Sequence, residues 1–148
     1  MIEAFTDSSY DIKRKVAGIG IVINDGLHQR TVSNYVKASS NNYGELFAIY
    51  VAAILLHGKD SIVYTDSQTA LQYINSSIKD KPRTREQYIE HMNMKVLAYK
   101  IKRLGVAVDK VKAHTNQLKN KNIHNNMADL LAKYGRSKFY EKSSWQVL

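Results

Sequence analysis

The segment IVYTDSQTAL, residues 62–71, runs from an apolar stretch into Asp66 and then into a polar sequence typical of a helix start. The apolar part predicts a buried strand, and Ser67 with the residues after it predicts a helix that begins at once. A strand followed directly by a helix is the repeating unit of parallel sheets. The segment therefore predicts an α/β fold, with the carboxylate of Asp66 at the end of a strand.

The composition is that of an ordinary globular protein. The chain has 148 residues, of which 44% are hydrophobic and 24% charged, with one proline and no cysteine. This length suits one hydrophobic core, so we expect a single domain over residues 1–148 and a monomer. The lack of cysteine excludes disulfides and thiolate zinc sites and suits the cytoplasm. The longest apolar run, residues 48–56, is too short to cross a membrane.

The charge is strongly positive. Lysine and arginine number 22 against 13 acidic residues, which gives a net charge of +9. Such a surface attracts polyanions, and nucleic acid is the obvious candidate, although many basic proteins of this size bind none. Residues 79–103 are especially basic. That stretch is typical either of a surface that contacts successive phosphates of a nucleic acid or of the solvated side of a helix.

Upstream of residue 62 the pattern predicts three strands and a buried helix. Residues 2–7, 16–24 and 29–36 are rich in β-branched residues, with a turn at 24–26, and should form an antiparallel meander. Residues 43–56 are apolar on nearly every side and end before Gly58, as expected of a buried helix. The strand at 61–65 should then lie parallel to the first strand.

Downstream, the pattern predicts two more helices and a fifth strand. TREQ, residues 84–87, is a capping-box pattern that begins a helix reaching about Leu104. Its apolar residues recur at helical spacing, namely Tyr88, Met92, Val96 and Tyr99. A strand at 106–112, a polar loop at 113–126 and a helix at 127–134 ended by Gly135 should follow, and residues 136–148 form a short tail.

Four acids lie beside apolar runs, where a carboxylate is costly to desolvate. Asp7 is predicted at the end of the first strand, Glu45 early in the buried helix, Asp66 after the fourth strand and Asp129 in the last helix. Each acid alone fits a turn, a helix cap or a helix N-terminus. Parallel neighbours would bring Asp7 and Asp66 to the same edge of the sheet, and Glu45 on a crossing helix could reach them.

Carboxylates that converge in this way repel one another unless a cation binds them. Oxygen ligands without histidine or cysteine favour Mg²⁺, with Mn²⁺ as an alternative. Two such ions about 4 Å apart can activate water and stabilise a leaving oxygen in phosphodiester hydrolysis. The acids therefore predict a site for hard divalent cations, and a pair of them would suit this reaction.

The motifs FTDSS, SSNNYGEL, IVYTDSQ, VKAH and NNMADLLA occur in this order between residues 2 and 134. Together they resemble the ribonuclease H family of the bacterial and retroviral kind. The resemblance implies a mixed five-stranded sheet flanked by helices, with the first three strands antiparallel and parallel βα units after them. It also implies an endonuclease that cuts the RNA strand of RNA·DNA hybrids and leaves 5′-phosphate and 3′-hydroxyl ends.

The same resemblance implies roles for individual residues. Asp7 would bridge two metal ions, Glu45 and Asp66 would hold the ion on the leaving-group side, and Asp129 would hold the ion that carries the attacking water. His114 would help a proton reach the leaving oxygen or help the product depart. The residues implied in substrate binding are Ser8, Ser40, Asn41, Asn42, Ser67, Gln68 and Lys112. Asn41 or Asn42 also fits a helix cap.

The chain departs from the family pattern at several points. Ser8 stands where the family usually has glycine, close to the RNA backbone. The tryptophan-rich basic protrusion of many bacterial members is absent, and the segment between His114 and Asp129 is longer than expected. We expect no separate hybrid-binding domain, so affinity must come from this domain or from a partner in replication or reverse transcription.

Three other functions remain compatible with the sequence. The chain could be a member of the same superfamily with impaired cleavage, although four retained acids argue against this. It could instead act on another substrate, as a junction resolvase or an exonuclease does, or it could be a structural module whose charge binds RNA generally. Cleavage assays on different duplexes and the need for Mg²⁺ separate these functions.

Overall fold

The computed structural model describes residues 1–111 and 118–146, without the side chains of 118–122 and 143–146. Five strands form one sheet in the order β3-β2-β1-β4-β5. The strands are β1 (Ile2–Asp11), β2 (Val16–Asn24), β3 (Gln29–Lys37), β4 (Ser61–Thr65) and β5 (Ala107–Lys110). The helices are α1 (Asn41–Leu56), α2 (Gln68–Ile74), α3 (Arg85–Arg103) and α4 (Leu118–Gln146). The predicted mixed five-stranded sheet is confirmed, antiparallel through β1–β3 and parallel from β1 to β4 and β5.

The parallel pairing between β1 and β4 is short. It extends from the Ile2–Ser61 pair to the Phe5–Tyr64 pair, after which β1 continues to Asp11 beside β2 alone. Asp7 therefore lies within β1, opposite Gly20, and the prediction that it ends the strand is wrong. Because β4 stops at Thr65, the edge of β1 beside Asp7 is open where Asp66 begins to leave the sheet.

Helices cover both faces of the sheet. On one face, α1, α2 and α3 form a core that includes Ile21, Leu46, Ile49, Leu56, Val63, Met94, Leu97 and Ile101. On the other face, α4 packs Ala128 against Phe5 of β1 and Val22 of β2. In the part of the chain that is described, no helix combines the length and apolar character needed to cross a bilayer.

The buried face of α3 is not the stripe indicated by its largest apolar residues. Tyr88, Met92, Val96 and Tyr99 are between 41% and 58% exposed, whereas the buried residues of α3 are Met94, Leu97, Ala98 and Ile101. Both sets recur at helical spacing, so periodicity alone does not distinguish them. The buried set contains neither tyrosine, since a buried tyrosine hydroxyl needs a hydrogen-bond partner.

The last helix is longer at both ends than predicted. α4 begins at Leu118, so the prediction of a loop over 113–126 is wrong for residues 118–126, and the predicted tail is helical as far as Gln146. Gly135 does not end the helix. A Cβ atom at this position would lie 2.1 Å from the carbonyl oxygen of Asn34, so glycine here lets α4 lie directly on β3.

Two glycines of β2 serve the same packing. A Cβ atom on Gly18 would lie 1.9 Å from the Ala132 oxygen, and one on Gly20 would lie 2.0 Å from the Ala128 oxygen. The backbone of α4 therefore approaches β2 more closely than any side chain would allow. This contact places Asp129, which follows Ala128, over the centre of the sheet.

The variant Gly20→Ala should destabilise the protein by about 1–3 kcal/mol, because α4 must move away from β2 to admit the methyl group. Urea unfolding measures this free-energy difference. Gly26→Asn is the control, since Gly26 has a φ of +92° and no atom within 4 Å of an added Cβ. Asparagine tolerates a positive φ, so the control should lose less stability. An equal loss in both variants would contradict the packing role of Gly20.

Candidate carboxylate site

Three carboxylates from three elements converge at the open end of β4. Asp7 of β1, Glu45 of α1 and Asp66 after β4 each contribute one oxygen to a group in which these oxygens all lie within 4.8 Å of one another. Asp7 and Glu45 are 7% and 5% exposed, whereas Asp66 is exposed. The site therefore has a buried floor formed by two acids and an accessible rim formed by the third.

Glu45 reaches the site because α1 lies very close to β1. The helix begins after Ser40, whose side chain accepts a hydrogen bond from the Tyr43 N–H, so Glu45 falls in its second turn. Gly44 allows the approach, since a Cβ atom there would lie 2.3 Å from Ser8 Oγ and 2.6 Å from the Ala17 Cβ. The short side chains on both elements bring the Glu45 carboxylate to the edge of the sheet.

Asp66 is held between a strand end and a helix start. The Ser67 N–H donates to Thr65 Oγ1 over 3.1 Å, and Ser67 Oγ accepts from the Ala70 N–H over 3.1 Å as the N-cap of α2. These two bonds fix the turn between β4 and α2. The carboxylate of Asp66 is therefore left free to face the site instead of capping the helix.

Burial and mutual repulsion make the two inner acids hard to ionise. The pKa of Asp7 is raised to about 6. Burial is the main cause, the hydrogen bond from the Ser8 N–H lowers the pKa, and the charge of Asp66 raises it further. Burial also raises the pKa of Glu45, followed by the charges of Asp7 and Asp66. Glu45 Oε2 is buried and has no hydrogen-bond partner among the described residues. A buried acceptor without a donor, inside a group of acids, is well suited to bind a cation.

Asp129 approaches the same cavity from the opposite face of the sheet. It lies on α4, and its charge contributes to the raised pKa of Asp7. Its carboxylate pairs with Lys133 across 3.1 Å, and its side chain is 42% exposed. Asp129 is thus beside the three converging carboxylates, with a lysine as its present partner.

The open cavity above the carboxylates has a volume of about 510 Å³. It brings together nine of the residues predicted from the sequence, namely Asp7, Ser8, Asn41, Asn42, Glu45, Asp66, Ser67, Gln68 and Asp129. It also includes Thr69, which the sequence reasoning missed. Its position in the first turn of α2, next to Gln68, is the signal that would have identified it.

Three predicted site residues are not among the described residues that line this cavity. Ser40 is the N-cap of α1, a position that the sequence also allowed for Asn41 or Asn42. Lys112 and His114 lie outside the described residues. Their roles stay predictions.

Without metal, the contribution of Asp7 to the free energy of unfolding should fall as pH rises. The folded-state pKa of Asp7 is about 6, above the ordinary value of 3.8, so the folded state binds more protons than the unfolded state between these values. The contribution of Asp7 is therefore favourable below about pH 4 and is lost as pH rises through 6.

Thermal and urea unfolding of wild type and Asp7→Asn in chelator, from pH 4 to 7.5, measures this effect. From pH 4 to pH 7.5, the free energy of unfolding of the variant should rise by about 1–2 kcal/mol relative to that of wild type. A difference that does not depend on pH would show that Asp7 titrates normally.

Comparison with known proteins identifies the family and agrees with the fold. The RNase H family model matches residues 1–137. A search of curated proteins gave no significant match.

Several solved structures share the fold. RNase H1 from the halophilic archaeon Halobacterium salinarum NRC-1 aligns with a TM-score of 0.66 and 17% identity, over 93% of this chain and 98% of that one. LC11-RNase H1 in complex with an RNA/DNA hybrid aligns with a TM-score of 0.57 and 21% identity, over 95% and 99% of the two chains. The N-terminal RNase H domain of a Mycobacterium tuberculosis protein aligns with a TM-score of 0.61 and 16% identity, over 89% of this chain and 95% of that one. Since the family model spans most of its length, the chain belongs to the ribonuclease H family of hydrolases.

Proposed function

We propose that the protein is an endonuclease that cuts the RNA strand of RNA·DNA hybrids by two-metal-ion catalysis, leaving 5′-phosphate and 3′-hydroxyl ends. The observation that carries this proposal is the convergence of Asp7, Glu45 and Asp66, with an unpartnered Glu45 oxygen buried among them. Such a cluster is costly to fold, since its members repel one another and lose hydration. A function that needs the cluster accounts for this cost.

The donor set suits Mg²⁺, with Mn²⁺ as the alternative. All the ligands offered are carboxylate oxygens, which hard divalent cations prefer. Asp7, Glu45, Asp66 and Asp129 would hold the ions, with Asp7 shared between them and Asp129 on the side of the attacking water. When bound, such ions lower the pKa of water and stabilise the leaving oxygen.

The residues of the chain contribute position and charge to this chemistry. Asp7 and Glu45 are held rigidly by β1 and α1, so they need no rearrangement to form the floor of the site. Asp66 and Asp129 are more exposed and can adjust to a bound substrate. His114 would move a proton to the leaving oxygen or assist product release.

The rim of the cavity suits a ribose-containing strand. Asn41, Asn42, Ser67, Gln68 and Thr69 present amides and hydroxyls, which can exchange hydrogen bonds with 2′-hydroxyl groups without reading the bases. Recognition of this kind distinguishes RNA from DNA at the scissile strand. It supports a substrate with at least one RNA strand.

A second cavity suits the phosphates of the complementary strand. It is lined by Arg14, Lys15, Lys37, Ala38, Ser39, Tyr43 and Asn93, and so combines three cations with neutral donors. Tyr43 belongs to the first turns of α1, as do Asn41 and Asn42 of the carboxylate cavity. The start of α1 thus separates an acidic cavity from a basic one, an arrangement that supports binding of a duplex across it.

The decisive experiment is cleavage of an end-labelled RNA·DNA hybrid, beside matched RNA and DNA duplexes and a four-way junction. Wild type should cut only the RNA strand of the hybrid, and chelator should stop the reaction. Asp7→Asn and Asp66→Asn should each reduce the rate by at least about a hundredfold, because each removes a charge needed to hold the ions. Enzymatic end-labelling of the fragments identifies their 5′ and 3′ groups.

Asp60→Asn is the matched control for these variants. Asp60 precedes β4 at the end opposite to Asp66, and its side chain is 83% exposed. This variant should cut the hybrid at the normal rate. Normal cutting by Asp7→Asn would refute the assignment of the site, and hybrid binding without cutting by wild type would favour a member with impaired cleavage.

The Lys133 ammonium group should compete with cations for Asp129. Lys133→Gln should therefore lower the Mg²⁺ concentration for half-maximal cleavage by about two- to fivefold, the effect expected of one exposed ion pair. Lys142→Gln is a charge-matched control further along α4 and should leave this concentration unchanged. A metal titration that gives identical curves for wild type and Lys133→Gln would contradict the competition.

A further inference from the structure

Ser8 links the carboxylate site to the rim of the cavity. Its backbone N–H donates to Asp7 Oδ1 over 2.8 Å, and its side-chain hydroxyl donates to Asn41 Oδ1 over 3.1 Å. Ser8 is only 7% exposed, whereas Asn41 is exposed. One residue thus contacts a carboxylate of the floor through its backbone and an amide of the rim through its side chain.

The space for this hydroxyl is provided by Gly44. A Cβ atom at Gly44 would lie 2.3 Å from Ser8 Oγ and 3.3 Å from the Ser8 Cβ. Any larger residue at position 44 would therefore displace the serine side chain. The hydroxyl is therefore confined between β1 and the first turns of α1. A confined donor holds its acceptor in one orientation.

The orientation of Asn41 follows from this bond. Because Oδ1 accepts from Ser8, the amide group has its oxygen toward β1 and its Nδ2 donors on the other side. Within the described residues, Nδ2 of Asn41 has no hydrogen-bond partner, and the residue lines the carboxylate cavity. Its two N–H groups are thus available to a hydrogen-bond acceptor of a bound nucleic acid.

We infer that Ser8 is a positioning residue, which holds the Asn41 amide with its N–H groups directed to the substrate. This inference rests on the proposed function and adds a determinant of substrate binding to it. Without the hydroxyl, the side chain of an exposed asparagine at the start of a helix samples several rotamers and both amide orientations. Fixing it in advance lowers the entropic cost of binding.

Steady-state cleavage of the hybrid at fixed Mg²⁺ tests the inference. Ser8→Ala should raise KM about two- to tenfold, the effect of one lost hydrogen bond, and should change kcat by less than about twofold. Asn41→Ala should raise KM at least as much. If Ser8 acts through Asn41, the double variant with both Ser8→Ala and Asn41→Ala should have the same KM as Asn41→Ala alone.

Ser9→Ala is the matched control. Ser9 is the next residue of β1, its side chain points to the opposite face of the strand, and that side chain makes no hydrogen bond within the described residues. This variant should keep the wild-type KM. A wild-type KM in Ser8→Ala, or a double variant whose KM increase is the product of the two single increases, would overturn the inference.

A second measurement does not depend on cleavage. In NMR spectra of the unliganded protein, Ser8→Ala should shift the side-chain amide signals of Asn41, and Ser9→Ala should not. Unchanged Asn41 signals in Ser8→Ala would refute the positioning role. If wild type fails to cut the hybrid while these signals shift as expected, the proposed function fails but the positioning of Asn41 stands.

Discussion

Repulsion among buried carboxylates is the constraint on which the rest of this structure depends. Asp7 and Glu45 are almost completely buried, and Asp66 lies within a few ångströms of both. Each would be more stable in water or apart from the others. The fold holds them together because they belong to three different elements whose positions are set by packing elsewhere. A divalent cation would relieve this repulsion, which is why the cluster suits the metal-dependent hydrolysis proposed above.

Close approach between helices and sheet is what brings the acids within reach of one another. Gly44 lets α1 approach β1, and Gly18, Gly20 and Gly135 let α4 lie on β2 and β3. Each contact places an acid from a helix, Glu45 on one face and Asp129 on the other, near Asp7 in the sheet. The energy for this comes from burial of apolar side chains in the two hydrophobic cores. Packing on both faces therefore stabilises a site that is itself unfavourable.

One residue type, or one spacing, can serve different physical purposes, as Gly135 and the apolar residues of α3 show. Gly135 was expected to end a helix, as glycine commonly does, but it lies inside α4 and provides space against Asn34. Along α3, two sets of apolar residues share helical spacing, and only the set Met94, Leu97, Ala98 and Ile101 is buried. In both cases the deciding contact is with a residue distant in sequence. Local patterns carry no information about such contacts.

The sequence by itself determined the order and type of most elements, the mixed sheet and the acids that converge at its edge. The elements follow from hydrophobic periodicity and capping residues, which act locally. The convergence of the acids follows from the general rule that parallel strands end at one edge of a sheet. Only the tertiary structure decided that Asp7 lies within β1, that Ser40 caps α1, and that the Ser8 hydroxyl reaches Asn41. The reason is that these outcomes depend on where β4 stops beside β1 and on how closely α1 packs, and both are set by contacts between distant parts of the chain.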